Sequence, residues 1–311
     1  MNPRARFSTA AALILGLASL PGIARAEIIN VFLEGGQSNG DGSHVGGLGG
    51  AGLPASLQLQ NNVQFYYNGL YYTGPVGLGP LKPVSNDGGT TTYFGPEITF
   101  GSAMADYYAS SGQGVAILKY TVNGSDLYSH WKAGGTAGTT GDGDAYKLFQ
   151  STVAAGLAAL QAANPGATLV IDGMIWMQGE QDATDPTSSA AYGANLTKFI
   201  NDIRLTYGAN LPFVIGRLSS SQNPAYVSTV QAAQDSVAAS VPDTGIVNTE
   251  SFPLNSDRLH FTVLGQEDLG YAFAGSMESL LAVPEPPVAV LAAGGAVLFG
   301  LARRRPRKVA P

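Results

Sequence analysis

The stretch Ile28-Ile29-Asn30-Val31-Phe32-Leu33-Glu34-Gly35-Gly36-Gln37-Ser38-Asn39-Gly40 decides the fold. Its first half, 28–33, is a short apolar run of strand length, the pattern of a strand buried on both faces of a sheet. Its second half changes abruptly to glycine and small polar residues, so the chain leaves the sheet in a tight turn that exposes the Ser38 hydroxyl. An ordinary serine turn fits the same hexapeptide. Working outward, strand-like runs at 115–122, 168–177, 212–218 and 245–249 alternate with helical stretches at 94–110, 144–163, 188–207, 227–241 and 262–281. This alternation predicts an α/β fold with three α/β/α layers on a parallel sheet of about five strands. Ligands of such sheets bind beyond the carboxyl ends of the strands, where Ser38 falls. Two stretches interrupt the pattern. Residues 35–54 are dense in glycine, and 63–92 are rich in Tyr, Gly and Pro. Tyr66, Tyr67, Tyr71 and Tyr72 suit a hairpin around Asn68-Gly69, or a wall on which a sugar stacks.

Both ends of the 311-residue chain read as processing signals. Arg4 and Arg6 precede an apolar run at 10–20 and the small-x-small sequence Ala24-Arg25-Ala26, which marks 1–26 as a signal peptide. At the other end, Val283-Pro284-Glu285-Pro286 leads into an uncharged run at 287–302. Arg303, Arg304, Arg305, Arg307 and Lys308 follow. As a helix that run would be ~24 Å long, short for a membrane span, with the basic cluster holding its end in the cytoplasm. Between the ends, residues 27–282 form one domain. It holds eight of the 16 basic residues and 21 of the 22 acidic ones, a net charge of −13. So acidic a domain excludes nucleic acid, whose phosphates need a basic face. With no cysteine in the chain, disulfides, thiol catalysis and cysteine-bound metal are excluded.

Three further blocks carry chemistry. Asp257-Arg258-Leu259-His260-Phe261 precedes the last helical stretch. Serine is a weak nucleophile until a base takes its proton, and a carboxylate on the far ring nitrogen orients such a base. The chain has histidines at 44, 130 and 260, and His260 has Asp257 three residues before it, close to the last helical stretch. Ile175-Trp176-Met177-Gln178-Gly179-Glu180-Gln181-Asp182 ends an apolar strand in an amide and a glycine, which suits an oxyanion donor or a loop anchor. Lys119-Tyr120-Thr121-Val122-Asn123-Gly124-Ser125 ends another in an Asn-Gly turn whose N–H could face a substrate oxygen. Gly47-Leu48-Gly49-Gly50-Ala51-Gly52 matches a dinucleotide-binding pattern by letter only, since Pro54 stands where a helix should open. Asp142-Gly143-Asp144 reads as a helix cap rather than a calcium loop.

In this order the four blocks resemble the SGNH hydrolases, in particular the sialate O-acetylesterase-like branch that includes carbohydrate esterase family six. The residues that carry the likeness are Gln37-Ser38-Asn39, Lys119 with Gly124-Ser125, Trp176-Met177-Gln178-Gly179-Glu180-Gln181-Asp182 and Asp257-Arg258-Leu259-His260-Phe261, joined by Phe94-Gly95-Pro96-Glu97. The resemblance implies a flavodoxin-like sheet and a secreted serine esterase that removes O-acetyl groups from carbohydrate without a cofactor. It implies Ser38 as nucleophile, His260 as base and Asp257 as orienting acid. The implied oxyanion hole is the Ser38 and Gly124 N–H groups with the Gln178 side chain. Relatives often carry Gly-Gly where this chain has Asn123-Gly124. Gln37, Asn39, Glu97, Glu180 and Asp182 are expected to support the site. Pro-Glu-Pro, the apolar run and the arginine cluster resemble a PEP-CTERM sorting tail over 283–311. That implies an exosortase-type processing enzyme as partner, a transient anchor, and export to the surface or matrix of a Gram-negative cell; a plain membrane anchor is the other reading. For function the alternatives are an SGNH lipase or arylesterase, and a non-catalytic surface protein that binds polysaccharide.

Overall fold

Along the chain run β1 (Ile28–Gly36), α1 (Ser38–Asp41), α2 (Ala55–Gln58), β2 (Gln60–Tyr67), β3 (Gly77–Leu81), α3 (Glu97–Ala109), β4 (Gly114–Thr121), α4 (Asp144–Ala163), β5 (Thr168–Met177), α5 (Pro186–Tyr207), β6 (Phe213–Gly216), α6 (Val227–Ser240), β7 (Thr244–Val247) and α7 (Val263–Leu281). They come from a computed structural model that describes residues 27–42, 44–45, 49–68, 77–84 and 92–282. The segments read as signal peptide and sorting tail, and Tyr71 and Tyr72, lie outside the described residues. No helix among the described residues is long and apolar enough to cross a membrane.

One sheet of seven strands runs in the order β3-β2-β4-β1-β5-β6-β7. Its five strands β4-β1-β5-β6-β7 are all parallel, and their order is the flavodoxin-like one. These are the five strands expected from the sequence. The two additional ones lie in and beside the stretch read as loop. β2 adds parallel to β4, and β3 pairs antiparallel to β2 at the edge. Their compositions hide them: QNNVQFYY mixes amides with aromatics, and GLGPL is mostly glycine and proline. Pro80 lacks an N–H to donate, and an edge strand tolerates that. Tyr66 and Tyr67 are buried on β2, so these two pack in the sheet, but Tyr67 pairs with Gly77 of β3 and the hairpin is not a tight turn at Asn68-Gly69.

Helices α3 and α7 pack together on one face, and α4, α5 and α6 cover the other. On the second face Trp131, Trp176, Phe149 and Phe199 meet with ring centroids 4.6–6.2 Å apart, mostly edge to face. That offset geometry suits aromatic rings better than face-to-face stacking. On the first face Phe32 of β1 meets Phe100 of α3 edge to face at 5.2 Å. α5 begins two residues before the periodicity suggests. Asp185 accepts from the N–H groups of Thr187 and Ser188, and Pro186 occupies the first turn. α7 is capped by Thr262, whose hydroxyl accepts from Gly265 N. Asp142 is not a cap. The residue before α4 is Gly143, and Asp142 instead accepts from Gly134 N (2.6 Å) and Gln150 Nε2 (2.8 Å).

Candidate active site

β1 is the strand at which the connections switch direction, so the crevice beyond its carboxyl end is open. Gly36 closes the strand at φ 151°, where a Cβ would stand 2.2 Å from the Met177 carbonyl oxygen. Only glycine fits, and the chain then turns at once into α1, whose first residue is Ser38. The Ser38 hydroxyl lies 3.0 Å from His260 Nε2, and His260 Nδ1 lies 2.7 Å from Asp257 Oδ2. Serine, imidazole and carboxylate are thus joined end to end across 222 residues of sequence. Burial by itself would raise the pKa of Asp257. Hydrogen bonds from the His260 ring and from the N–H groups of His260 and Leu259 outweigh that and hold it below the ordinary carboxylate range. The carboxylate is therefore charged whenever the imidazole needs its support.

Asn39 joins the Ser38 turn to the loop that carries His260. Its Nδ2 donates to Glu180 Oε1 (2.6 Å) and to Leu259 O (3.0 Å), and its Oδ1 accepts from Phe261 N (3.0 Å). Gln222 Nε2 repeats the pattern, donating to Leu259 O at 2.8 Å and Glu180 Oε1 at 3.4 Å. Glu180 is buried at the crevice wall, and desolvation raises its pKa despite these donors. Asn39 and Glu180 thus set the position of residues 259–261, and through them His260.

Below α1 sits Lys119, 2 % exposed. Its ammonium is 2.5 Å from Glu97 and 3.2 Å from Glu34, and it donates to the Asp41 carbonyl oxygen at 3.2 Å. Burial, outweighing the attraction of Lys119, raises the pKa of Glu34, and Glu97 is the nearer of the two partners of the ammonium. Glu97 also accepts from Gly95 N at 3.0 Å. The cluster is a prop under the helix that carries Ser38, not part of the crevice lining.

Gln178 is where the structure departs from the sequence expectation. It is fully buried and does not line the crevice. Its Nε2 faces three acceptors: Asp182 Oδ2 at 2.7 Å, Ser125 O at 3.1 Å and Gln37 Oε1 at 3.2 Å. Two amide hydrogens among three acceptors leave none for an oxyanion, so this geometry does not support the donor role. Gln178 anchors the loop after β5 instead. Asp182 accepts as well from Leu127 N (2.8 Å), and burial, outweighing these donors, raises its pKa to about 6. Gln178→Ala would leave that acid short of a donor inside the protein. A loss of about 1–3 kcal/mol in stability is expected, with turnover per folded molecule largely kept. Thermal melting and active-site titration on one preparation check it, and a stable variant with strongly reduced turnover would restore the oxyanion role.

Gln37 presents the complementary face. Its Oε1 accepts from Gln178 Nε2, Gly179 N (3.3 Å) and Gln181 N (3.1 Å), which fixes the amide with Nε2 pointing away from that loop. Gln37 lines the crevice beside Ser38. Gly124 lines it too, at φ 65° with open space where a Cβ would be. The crevice encloses about 430 Å³. His44, which no motif singled out, stacks on the His260 ring at 4.2 Å and 12°. Burial first, then the neighbouring His260, lowers its pKa and favours the neutral ring. Its carbonyl is held by Asn255 Nδ2 at 2.9 Å. Asn223 and Gln222 were likewise not foreseen, because an amide pair in a loop after β6 has no spacing signature.

A buried-to-exposed serine–histidine–aspartate chain at the carboxyl end of a flavodoxin-like sheet is the constellation of a serine hydrolase of the α/β/α class. Residues 28–279 match the carbohydrate esterase family of sialic acid-specific acetylesterases, and the chain belongs to that family. It is 30% identical over 105 residues to a "probable carbohydrate esterase" of Arabidopsis thaliana, a match covering 33% of this chain and 39% of that protein. The solved structure of an Arabidopsis thaliana protein superposes with TM-score 0.62 at 18% identity, covering 80% of this chain and 98% of the other. A carbohydrate acetylesterase from Xanthomonas citri gives 0.54 at 18% identity, covering 81% and 56%. NanS gives 0.53 at 15% identity, covering 83% and 98%. At these identities the superpositions speak to the fold.

Proposed function

We propose that this chain is an exported serine esterase that removes O-acetyl groups from carbohydrate. The observation that carries the reading is the continuous Ser38–His260–Asp257 hydrogen-bond chain opening on the crevice, in a member of a carbohydrate esterase family. Ser38 Oγ attacks the ester carbonyl carbon while its proton passes to His260 Nε2. The tetrahedral intermediate expels the sugar oxygen, which takes that proton. Water then attacks the acetyl-enzyme, giving its proton to His260, and acetate leaves with Ser38 restored. The Ser38 and Gly124 N–H groups and Gln37 Nε2 hold the oxyanion. Acid release from a panel of acetylated sugars and longer-chain esters tests the reading. Preference for long acyl chains would favour a lipase or arylesterase, and no release at all a polysaccharide-binding protein.

Two results follow from the geometry. Gln37→Glu keeps the acceptor for the loop amides and places a carboxylate oxygen at the oxyanion. It should melt like the parent and lose about 10²–10³ in kcat. Unchanged turnover would remove Gln37 from the hole. Because Asp257 is held below the ordinary carboxylate range, it should not add a proton to the loss of kcat/KM on acidification, and the slope should be that of one group. A slope of two would mean that a second group must also be deprotonated.

Export rests on the sequence of the two ends. In a host with an exosortase-type enzyme, the mature protein is expected outside the cell without 303–311. Mass spectrometry that recovers Arg303 to Pro311 on extracellular material would refute processing of the tail.

A further inference from the structure

We infer that the crevice takes acetyl esters of uncharged sugars and discriminates against sugars that carry a carboxylate near the ester. This rests on the esterase reading above and narrows its substrate, against the sialic acid in the family's name. A carboxylate brought into a partly closed crevice loses water and needs a cation, usually an arginine fork or a lysine, to offset the loss. Among the described residues the lining has none. Its titratable groups are His44, Glu180 and His260, and the rest of its polar surface is amide and hydroxyl: Asn123, Gln181, Thr184 and Asn223. Such groups match sugar hydroxyls. The nearest fixed charge, the ionised Asp257 behind His260, repels a sugar carboxylate, and Glu180, whose pKa burial raises, offers it no positive partner.

The count of cations closes the argument, because residues 27–282 contain only eight. Lys119 is sealed under α1 against Glu97 and Glu34. Arg204 is held by the carbonyls of Leu211 and Asp243, at the end of β6 away from the crevice. Arg217 is paired with Asp235 and Glu250. Lys82, Lys132, Lys147 and Lys198 do not line the crevice. The internal positions outside the description hold no Lys or Arg in the sequence. Arg258 lies within the loop that carries His260, but it donates to Ser221 O at 3.2 Å and is not among the residues lining the crevice. The net charge of −13 over the domain adds a long-range field that disfavours anions.

The test compares one sugar in two charge states: O-acetylated sialic acid and its carboxyl methyl ester, with an acetylated neutral methyl glycoside beside them. Acetate release by the full chain is followed at low salt and again at high salt. The methyl ester is expected to exceed the free acid about tenfold or more in kcat/KM, the gap narrowing as salt screens the field. Arg258→Ala should leave that ratio unchanged. A free acid turned over as well as its methyl ester would overturn the inference while leaving the esterase reading intact. So would an Arg258→Ala loss confined to the free acid, since it would identify the missing cation. Acetate from none of the three would overturn the esterase reading and this inference together.

Discussion

Ser38→Ala should abolish acetate release while leaving the protein folded. Ser38 Oγ has His260 Nε2 as its partner and sits on a turn whose shape is set by Gly36 and by backbone bonds, not by the hydroxyl. Removing it should change stability by no more than about 1 kcal/mol. The catalytic loss should be about 10⁴–10⁶ in kcat, since groups that act as a unit fail together. His260→Ala should cost as much, and combining the two should add little. Asp257→Asn should cost about 10⁴, because the amide cannot hold the same ring tautomer. Kinetics and melting curves on the same preparations decide it. Wild-type turnover in Ser38→Ala would remove the nucleophile and the mechanism with it.

The largest effect on stability is expected at Lys119, which touches nothing in the crevice. Lys119→Met removes the cation that pairs with Glu97 and the donor to the Asp41 carbonyl while keeping the apolar stem. Breaking a buried pair from one side typically costs about 3–5 kcal/mol, because the remaining charge is stranded. For a domain of this size that lowers Tm by about 10 °C. Glu97→Gln added to Lys119→Met should recover much of the loss, since it removes the stranded charge. A melting temperature unchanged by Lys119→Met would show that the cluster does not support α1 at all.

The glutamine at 178 shows where reading the sequence stops. A side-chain amide past an apolar strand and before glycine can point into a crevice or back into its own loop. The choice depends on where acceptors stand. Asp182 is four residues on, but Gln37 and Ser125 come from other strands' ends. With all three around Nε2, the amide turns inward, and Gln37, expected only as support, holds the face toward the crevice. The same limit hid β2 and β3, whose amides, glycines and proline form strands because neighbouring edges supply partners. It hid His44 too, for which no periodicity or spacing announces a stacking partner 216 positions away.

By itself the sequence determined the five parallel strands, the helices between them, the place of Ser38 past β1, and the pairing of Asp257 with His260. These follow from local apolar periodicity, caps and a three-residue spacing, all of which act over a few residues. Only the tertiary structure decided that Ser38 meets His260, that Asn39 and Gln222 hold the base loop, that Lys119 braces α1 from below, and which glutamine faces the crevice. Those outcomes are set by hydrogen bonds and charges between segments up to 222 residues apart, whose geometry exists only once the sheet has brought them together.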